Sequence, residues 1–180
     1  MIHVWLVEVS LINVFYLDPN PYTAAEMQCD RHVVKMILES AQLLSTAHRE
    51  LDGDVWADHV NLYKATHKNH PSAVWCRAST DNYRWLYQHF IALCHEYTYR
   101  YNKEHLSYTK LAAVLFFMPS NLTTTGFTEP TPAMDDEYKR ENALESYRYY
   151  YANAKSVNEW FCYNKSRPAP EFIKEYKEAL

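Results

Sequence analysis

Residues 23–48 read TAAEMQCDRHVVKMILESAQLLSTAH, and this stretch decides the fold class. Its apolar side chains Val33, Val34, Ile37, Leu38, Ala41, Leu43 and Leu44 recur at three- and four-residue steps, the period of one helix face. Thr23 with Glu26 three residues on fits an N-cap with a capping box. The turn signal Asp18-Pro19-Asn20-Pro21 stands just before it. The reading is one long helix from Tyr22 or Thr23 to about His48.

Outward from that helix the chain keeps a helical period. The acidic stretch Leu51–Asp58 contains Gly53 and reads as a loop. Thr66-His67-Lys68-Asn69-His70-Pro71 ends a polar connection, and proline at a first helical position behind Asn or His is a good helix start. It predicts a short helix from Pro71 to about Ala78. Ser79, Thr80 or Asp81 can cap a second long helix to about Asn102, with Tyr83, Leu86, Phe90, Leu93 and Tyr97 on one face. Ser107–Phe117, Asn142–Phe161 and Glu171–Ala179 read as further helices. Residues 118–135, with Pro119, Pro130 and Pro132, form the longest loop, and long loops tend to be functional or mobile. Residues 1–17 are apolar and rich in Val, Ile, Trp and Phe, which predicts one or two strands. Glu8 interrupts that run and no Lys or Arg starts it, so it is expected to be neither a secretory signal nor a membrane span.

The expectation is therefore a mostly α, single-domain helical bundle over residues 1–180 with a short N-terminal strand element, residues 1–11 being a possible extension. Composition agrees. Only Gly53 and Gly126 are glycine among 180 residues, where roughly a dozen would be average. A phosphate cradle of glycines, a P-loop and a G-x-S-x-G elbow are all excluded. So is a fold rich in glycine-dependent hairpin turns. Cys29, Cys76, Cys94 and Cys162 form no C-x-x-C pair and read as reduced, buried thiols. The net charge is −4, yet residues 61–110 carry seven Lys and Arg against three Asp and Glu. That basic middle reads either as ordinary surface variation or as a face that meets phosphate.

Four constellations could carry chemistry. On the long helix Gln28, His32, Lys35, Glu39 and Gln42 recur at four, three, four and three, one stripe beside the apolar face, with Asp30 and Arg31 adjacent. It is either a solvated face or a cleft lining that holds an imidazole, an amine and carboxylates for general acid–base work. His67, Lys68, Asn69 and His70 precede a helix start, where backbone N–H groups attract anions, and Arg77 and Arg84 follow nearby. Cys29, Asp30, His32, His67 and His70 make a possible mixed metal set, although the spacing is looser than that of structural zinc sites. Tyr147-Arg148-Tyr149-Tyr150-Tyr151, like Tyr97–Tyr101, reads either as core or as a base-stacking surface.

Two resemblances bear on these residues. Tyr16–Met36, His67–Pro71, Met134–Lys139 and Tyr147–Tyr151 resemble a family of small bacteriophage proteins without an assigned activity, over residues 12 to about 165. More distantly, the order of Ile12–Phe15, the helix from Thr23, Asn69-His70-Pro71 and the aromatic run Tyr147–Tyr151 resembles the pyrimidine-dimer DNA glycosylases of endonuclease V type. That resemblance implies a helical protein that excises damaged bases with an N-terminal α-amine as nucleophile and a carboxylate on the first helix. This chain departs from it with Met1 and bulky Ile2 ahead of the similar segment, so methionine removal is not expected. The acid is left among residues near Asp30, His32 and Glu39, and Lys35 is a replacement amine.

The expected function is thus a phage-type enzyme acting on DNA, of glycosylase or base-processing kind, inside the infected cell. Asp30, His32, Lys35 and Glu39 are the expected reactive set, and His67, Lys68, Asn69, His70, Arg77 and Arg84 the expected phosphate contacts. DNA, double- or single-stranded, is the expected partner, with no cofactor and no membrane. The rival readings are a metal-dependent phosphoester hydrolase on Cys29, Asp30, His32, His67 and His70, and a non-catalytic host-interaction protein. The first rival requires those donors to converge.

Overall fold

The structure is a computed structural model, and it describes residues 12–178. Helices dominate it: α1 (Pro21–Glu26), α2 (Asp30–Asp52), α3 (Asp54–His59), α4 (Pro71–Cys76), α5 (Thr80–Tyr101), α6 (Leu106–Leu115), α7 (Ala143–Tyr150) and α8 (Glu171–Glu178). A 3-10 turn at Asp136–Tyr138 precedes α7, and a π-helical turn at Tyr151–Lys155 extends it. The broadest interface joins α2 to α5, and α1 also packs on α5. Met36, Ile37, Leu43, Leu44, Leu86, Phe90 and Leu93 fill the space between them, and Tyr147 and Tyr151 complete the same core.

The long first helix is divided. Met27, Gln28 and Cys29 break it, and the reason lies in groups far along the chain. Arg100 donates to the carbonyls of Glu26 (2.9 Å) and Gln28 (2.8 Å), and the Tyr163 hydroxyl to that of Met27 (2.6 Å). These three carbonyls no longer need helical partners. Cys29 N–H donates to the Tyr151 hydroxyl and Asp30 N–H to the carbonyl of Cys162. Thr23 is not the cap; Asn20 Oδ1 receives Tyr22 N–H and Thr23 N–H. α2 runs on past His48 to Asp52 and stops at Gly53, whose φ of +82° suits glycine. The expected loop at 51–58 holds α3.

The strand expectation is not met by residues 12–17, and the rest of it, residues 1–11, lies outside the described residues. Ile12–Leu17 are all buried, but side chains rather than a neighbouring strand satisfy their backbone. Asn13 Oδ1 accepts from Val14 N–H and Phe15 N–H, and Phe15 sits at φ +48°. Loop 118–135 is fastened at several points. Asp52 accepts from Ser120 N–H and Asn121 N–H, Asn82 holds Thr128, and Asn13 Nδ2 donates to the carbonyl of Ala133. Three caps follow the sequence: His70 Nδ1 for α4, Ser79 Oγ for α5, Asn142 Oδ1 for α7; α6 is capped instead by His105 Nδ1, two residues before the expected start at Ser107. All four cysteines are free. Among the described residues no helix is long and apolar enough to cross a membrane.

Candidate active site

α2 carries the site. Lys35 and Glu39 are one turn apart, so they share a face, and Lys35 Nζ lies 3.5 Å from Glu39 Oε1. The Glu39 carboxylate is buried, 7% exposed, whereas Lys35 is 40% exposed. The other oxygen, Oε2, accepts the backbone N–H of Asn13 at 3.1 Å. A buried carboxylate is thus met by two nitrogens, one an amine open to solvent and one in the buried segment that leads into α1.

His32 lies one turn before Lys35. Its ring stacks on Phe15, with centroids 4.4 Å apart, and meets Trp160 at 5.1 Å. The Tyr151 hydroxyl accepts Cys29 N–H, which leaves its own proton to donate to His32 Nδ1 at 3.0 Å. That assigns the neutral tautomer with hydrogen on Nε2. Burial pushes the His32 pKa down to about 3, and the positive charges of Lys155, Lys35 and Arg31 add to the effect. His32 is therefore a neutral donor at ordinary pH. Of the helical stripe, His32 and Glu39 are buried and Lys35 is partly exposed, so the stripe is not a uniformly solvated face. Gln28 lies outside α2 and contacts His89 at 3.1 Å.

Asp30 is placed differently from its expected role. Its carboxylate receives Arg100 Nη1 (3.0 Å), Asn164 N–H (2.6 Å) and the Cys162 thiol (3.8 Å). Arg100 is itself buried and also bound to Glu96 (3.0 Å). Asp30 anchors the tail rather than facing a reactant. The Cys29 thiol is pushed up by burial, the wrong direction for a nucleophilic thiolate.

The expected phosphate set falls into two groups. His67, Lys68 and Asn69 are exposed beside the later half of α2, where Thr46 pairs with Thr66 and Lys68 lies 3.9 Å from Glu50. His70 spends its Nδ1 on capping α4. Arg77 stands at the far end of α4, roughly 10 Å away by helix rise, and Arg84 is paired with Asp81 at 2.6 Å. The metal set does not converge. Cys29, Asp30 and His32 cluster at the start of α2, while Thr66 bonds Thr46, roughly 20 Å further along the same helix. Among the described residues no three His, Cys, Asp or Glu side chains could hold a metal ion together.

Several site residues had no signal in the sequence. Asn13 enters through its backbone nitrogen, which carries no residue code at all. Trp160, Lys155 and Lys165 reach α2 only because the chain folds back after α7. Tyr147 and Tyr151 turn out fully buried, whereas Tyr149 lies under Arg140 and Tyr150 under Lys155.

A family described as pyrimidine dimer DNA glycosylase matches residues 12–109. The matched span begins one residue before Asn13 and includes Lys35, Glu39 and Thr66–Pro71. No curated protein and no solved structure matches the chain.

Proposed function

The chain belongs to the pyrimidine dimer DNA glycosylase family, and on that premise we propose that it excises a damaged pyrimidine from DNA through an amine nucleophile assisted by Glu39. One observation carries the reading: a carboxylate buried on α2 with nitrogens directed at both of its oxygens. In this reaction the amine nitrogen attacks C1′ of the sugar and the bond from C1′ to the base breaks. The base leaves with a proton, and the sugar opens to an imine on the attacking nitrogen. A carboxylate beside that nitrogen takes up and returns protons, and it steadies the positive charge that develops on the sugar. Such an enzyme extrudes its target nucleotide from the helix. His32, a neutral donor in an electropositive surround, belongs to the lining of that pocket. His67, Lys68 and Asn69 are exposed members of the expected phosphate set, and a bacteriophage setting goes with the separate resemblance to small bacteriophage proteins.

Lys35 is the amine of the chain as it stands. A second reading is favoured by one distance. Asn13 nitrogen is nearer to Glu39 (3.1 Å) than Lys35 Nζ is (3.5 Å), and the family's nucleophile is an N-terminal α-amine. The Asn13 nitrogen is an amide and inert in the full chain, but in a chain whose first residue is Asn13 it is that amine.

Borohydride trapping on DNA with an abasic site separates the two. With Lys35 as nucleophile the full chain forms a covalent adduct that K35A lacks. With Asn13 as nucleophile the adduct appears only in a chain starting at Asn13 and survives K35A. In either case E39Q lowers excision of a dimer by roughly a hundredfold or more, the usual scale for a proton-transferring group. No adduct from any of these proteins would sink the amine mechanism.

A further inference from the structure

A cleft of about 650 Å³ opens on the exposed side of α2, immediately beside the Lys35–Glu39 pair. Arg31, Val34 and Lys35 of α2 line it together with Tyr101, Trp160 and Lys165. We propose that this cleft is a phosphate-binding track for the DNA strand that enters the active site, with Arg31 and Lys165 as its two phosphate contacts. The proposal rests on the DNA-acting reading above and adds the place where the strand is held.

The charge balance of the cleft supports it. Asp30 is the acid among the lining residues, and its oxygens are occupied by Arg100, Asn164 N–H and the Cys162 thiol. Lys35 is shared with Glu39. Arg31 and Lys165 are both exposed, and neither forms an ion pair among the described residues. Aromatic rings hold them instead. The Arg31 guanidinium lies 5.0 Å from the Trp160 ring centroid, and Lys165 Nζ lies 5.7 Å from that of Tyr101. A cation over a ring face is steadied by the ring quadrupole, yet its N–H groups stay free for an anion, as they would not beside a carboxylate. Lys155 adds its charge from the π-helical turn, close enough to act on His32. The surround is therefore basic although the protein as a whole carries −4.

Geometry connects this cleft to the chemistry. Arg31, Lys35 and Glu39 follow one another at four-residue steps on one helix face, so Arg31 stands roughly 12 Å from Glu39 along the axis. A strand bound at Arg31 and Lys165 runs along α2 toward the carboxylate, which places a flanking nucleotide in the cleft and the target at Glu39. The Arg31–Trp160 contact makes the seat selective for phosphate geometry, since a guanidinium offers paired donors to two oxygens.

The test is the salt dependence of binding to an undamaged, fluorescently labelled duplex of about fifteen base pairs, read by anisotropy with the full chain. Each phosphate contact contributes about 0.9 to the slope of log K against log salt on duplex DNA. R31Q combined with K165Q is expected to weaken binding at least tenfold at low salt and to reduce the slope by about two contacts' worth, roughly 1.8. K103Q combined with K110Q removes the same charge from exposed positions elsewhere and is expected to leave the slope unchanged. Duplex binding with a slope that R31Q/K165Q does not alter overturns the cleft while leaving the glycosylase reading in place. An equal fall in the control pair overturns it too, since the effect is then one of net charge. No DNA binding by the unaltered protein overturns both.

Discussion

Tyr151 ties together the buried groups at the start of α2. Its hydroxyl accepts Cys29 N–H at 2.8 Å and faces His32 Nδ1 at 3.0 Å, all three groups being buried. Y151F removes one oxygen and leaves two buried polar groups without that partner, at a cost of about 2 kcal/mol or more. For a chain of this size that lowers the melting temperature by roughly 4–8 °C. The imidazole loses the bond that fixes its tautomer, so the nitrogen chemical shifts of His32 move toward a mixture of the two neutral forms. A variant that melts with the parent and keeps one tautomer would remove Tyr151 from this role. At this scale the sequence was partly readable. The spacing of His32, Lys35 and Glu39 put them on one face because helix geometry is local. It also placed Asp30 among the reactive groups, because the residue that claims Asp30 is Arg100, seventy positions away, and no local pattern announces such a pair.

Helices show the same division between local and distant causes. Those with caps of their own were legible: His70-Pro71 starts α4, Ser79 starts α5 and Asn142 starts α7, each with a bond inside its own first turn. The break at Met27–Cys29 was not legible, since every residue there tolerates a helix and the helix is ended by Arg100 and Tyr163 acting on its carbonyls. Residues 12–17 form no strand for a related reason: Val, Ile and Phe favour strands only where another strand lies alongside. The displaced cap of α1 supplies a direct check. Asn20 Oδ1 receives two N–H groups, so N20A is expected to cost about 1 kcal/mol, seen as a drop of roughly 2–4 °C in melting temperature. T23A, at the position the sequence favoured, is expected to cost only a small fraction of that, because Thr23 contributes no cap bond. Equal losses for the two would restore Thr23 as the cap.

Across the whole molecule, charge is sorted by the fold and not by the chain. The basic middle segment gives Arg100 to the interior and Arg84 to Asp81, while the cations around His32 and the cleft come from residues 31, 35, 155 and 165, in segments of net negative charge. Histidines are sorted as well, and this makes stability depend on pH. Burial holds His32 down to about 3 and His89 to about 4, the latter against the opposing carbonyls of Pro21 and Val14, and burial also lowers His48. In the unfolded chain all three titrate near 6.5. Above that value both states carry neutral rings and nothing is lost. As pH falls below it the unfolded chain binds protons that the folded one refuses, so stability declines, by up to about 1.4 kcal/mol per histidine for each pH unit. The decline continues until the folded pKa values are reached, near 4 for His89 and 3 for His32. Urea unfolding at pH 7, 6, 5 and 4 is therefore expected to show a midpoint that is level at the upper end and falls steeply below 6, with at least two protons taken up on unfolding, His70 and His105, which burial also lowers, adding to the uptake. H89Q keeps a hydrogen-bonding side chain in place of the ring and reduces that uptake by about one proton between pH 6 and 4. A midpoint that stays level from pH 7 to 5 would mean that these rings take up protons in the folded state, and His32 would then be a cation beside Lys35 rather than the neutral donor on which the proposed pocket depends.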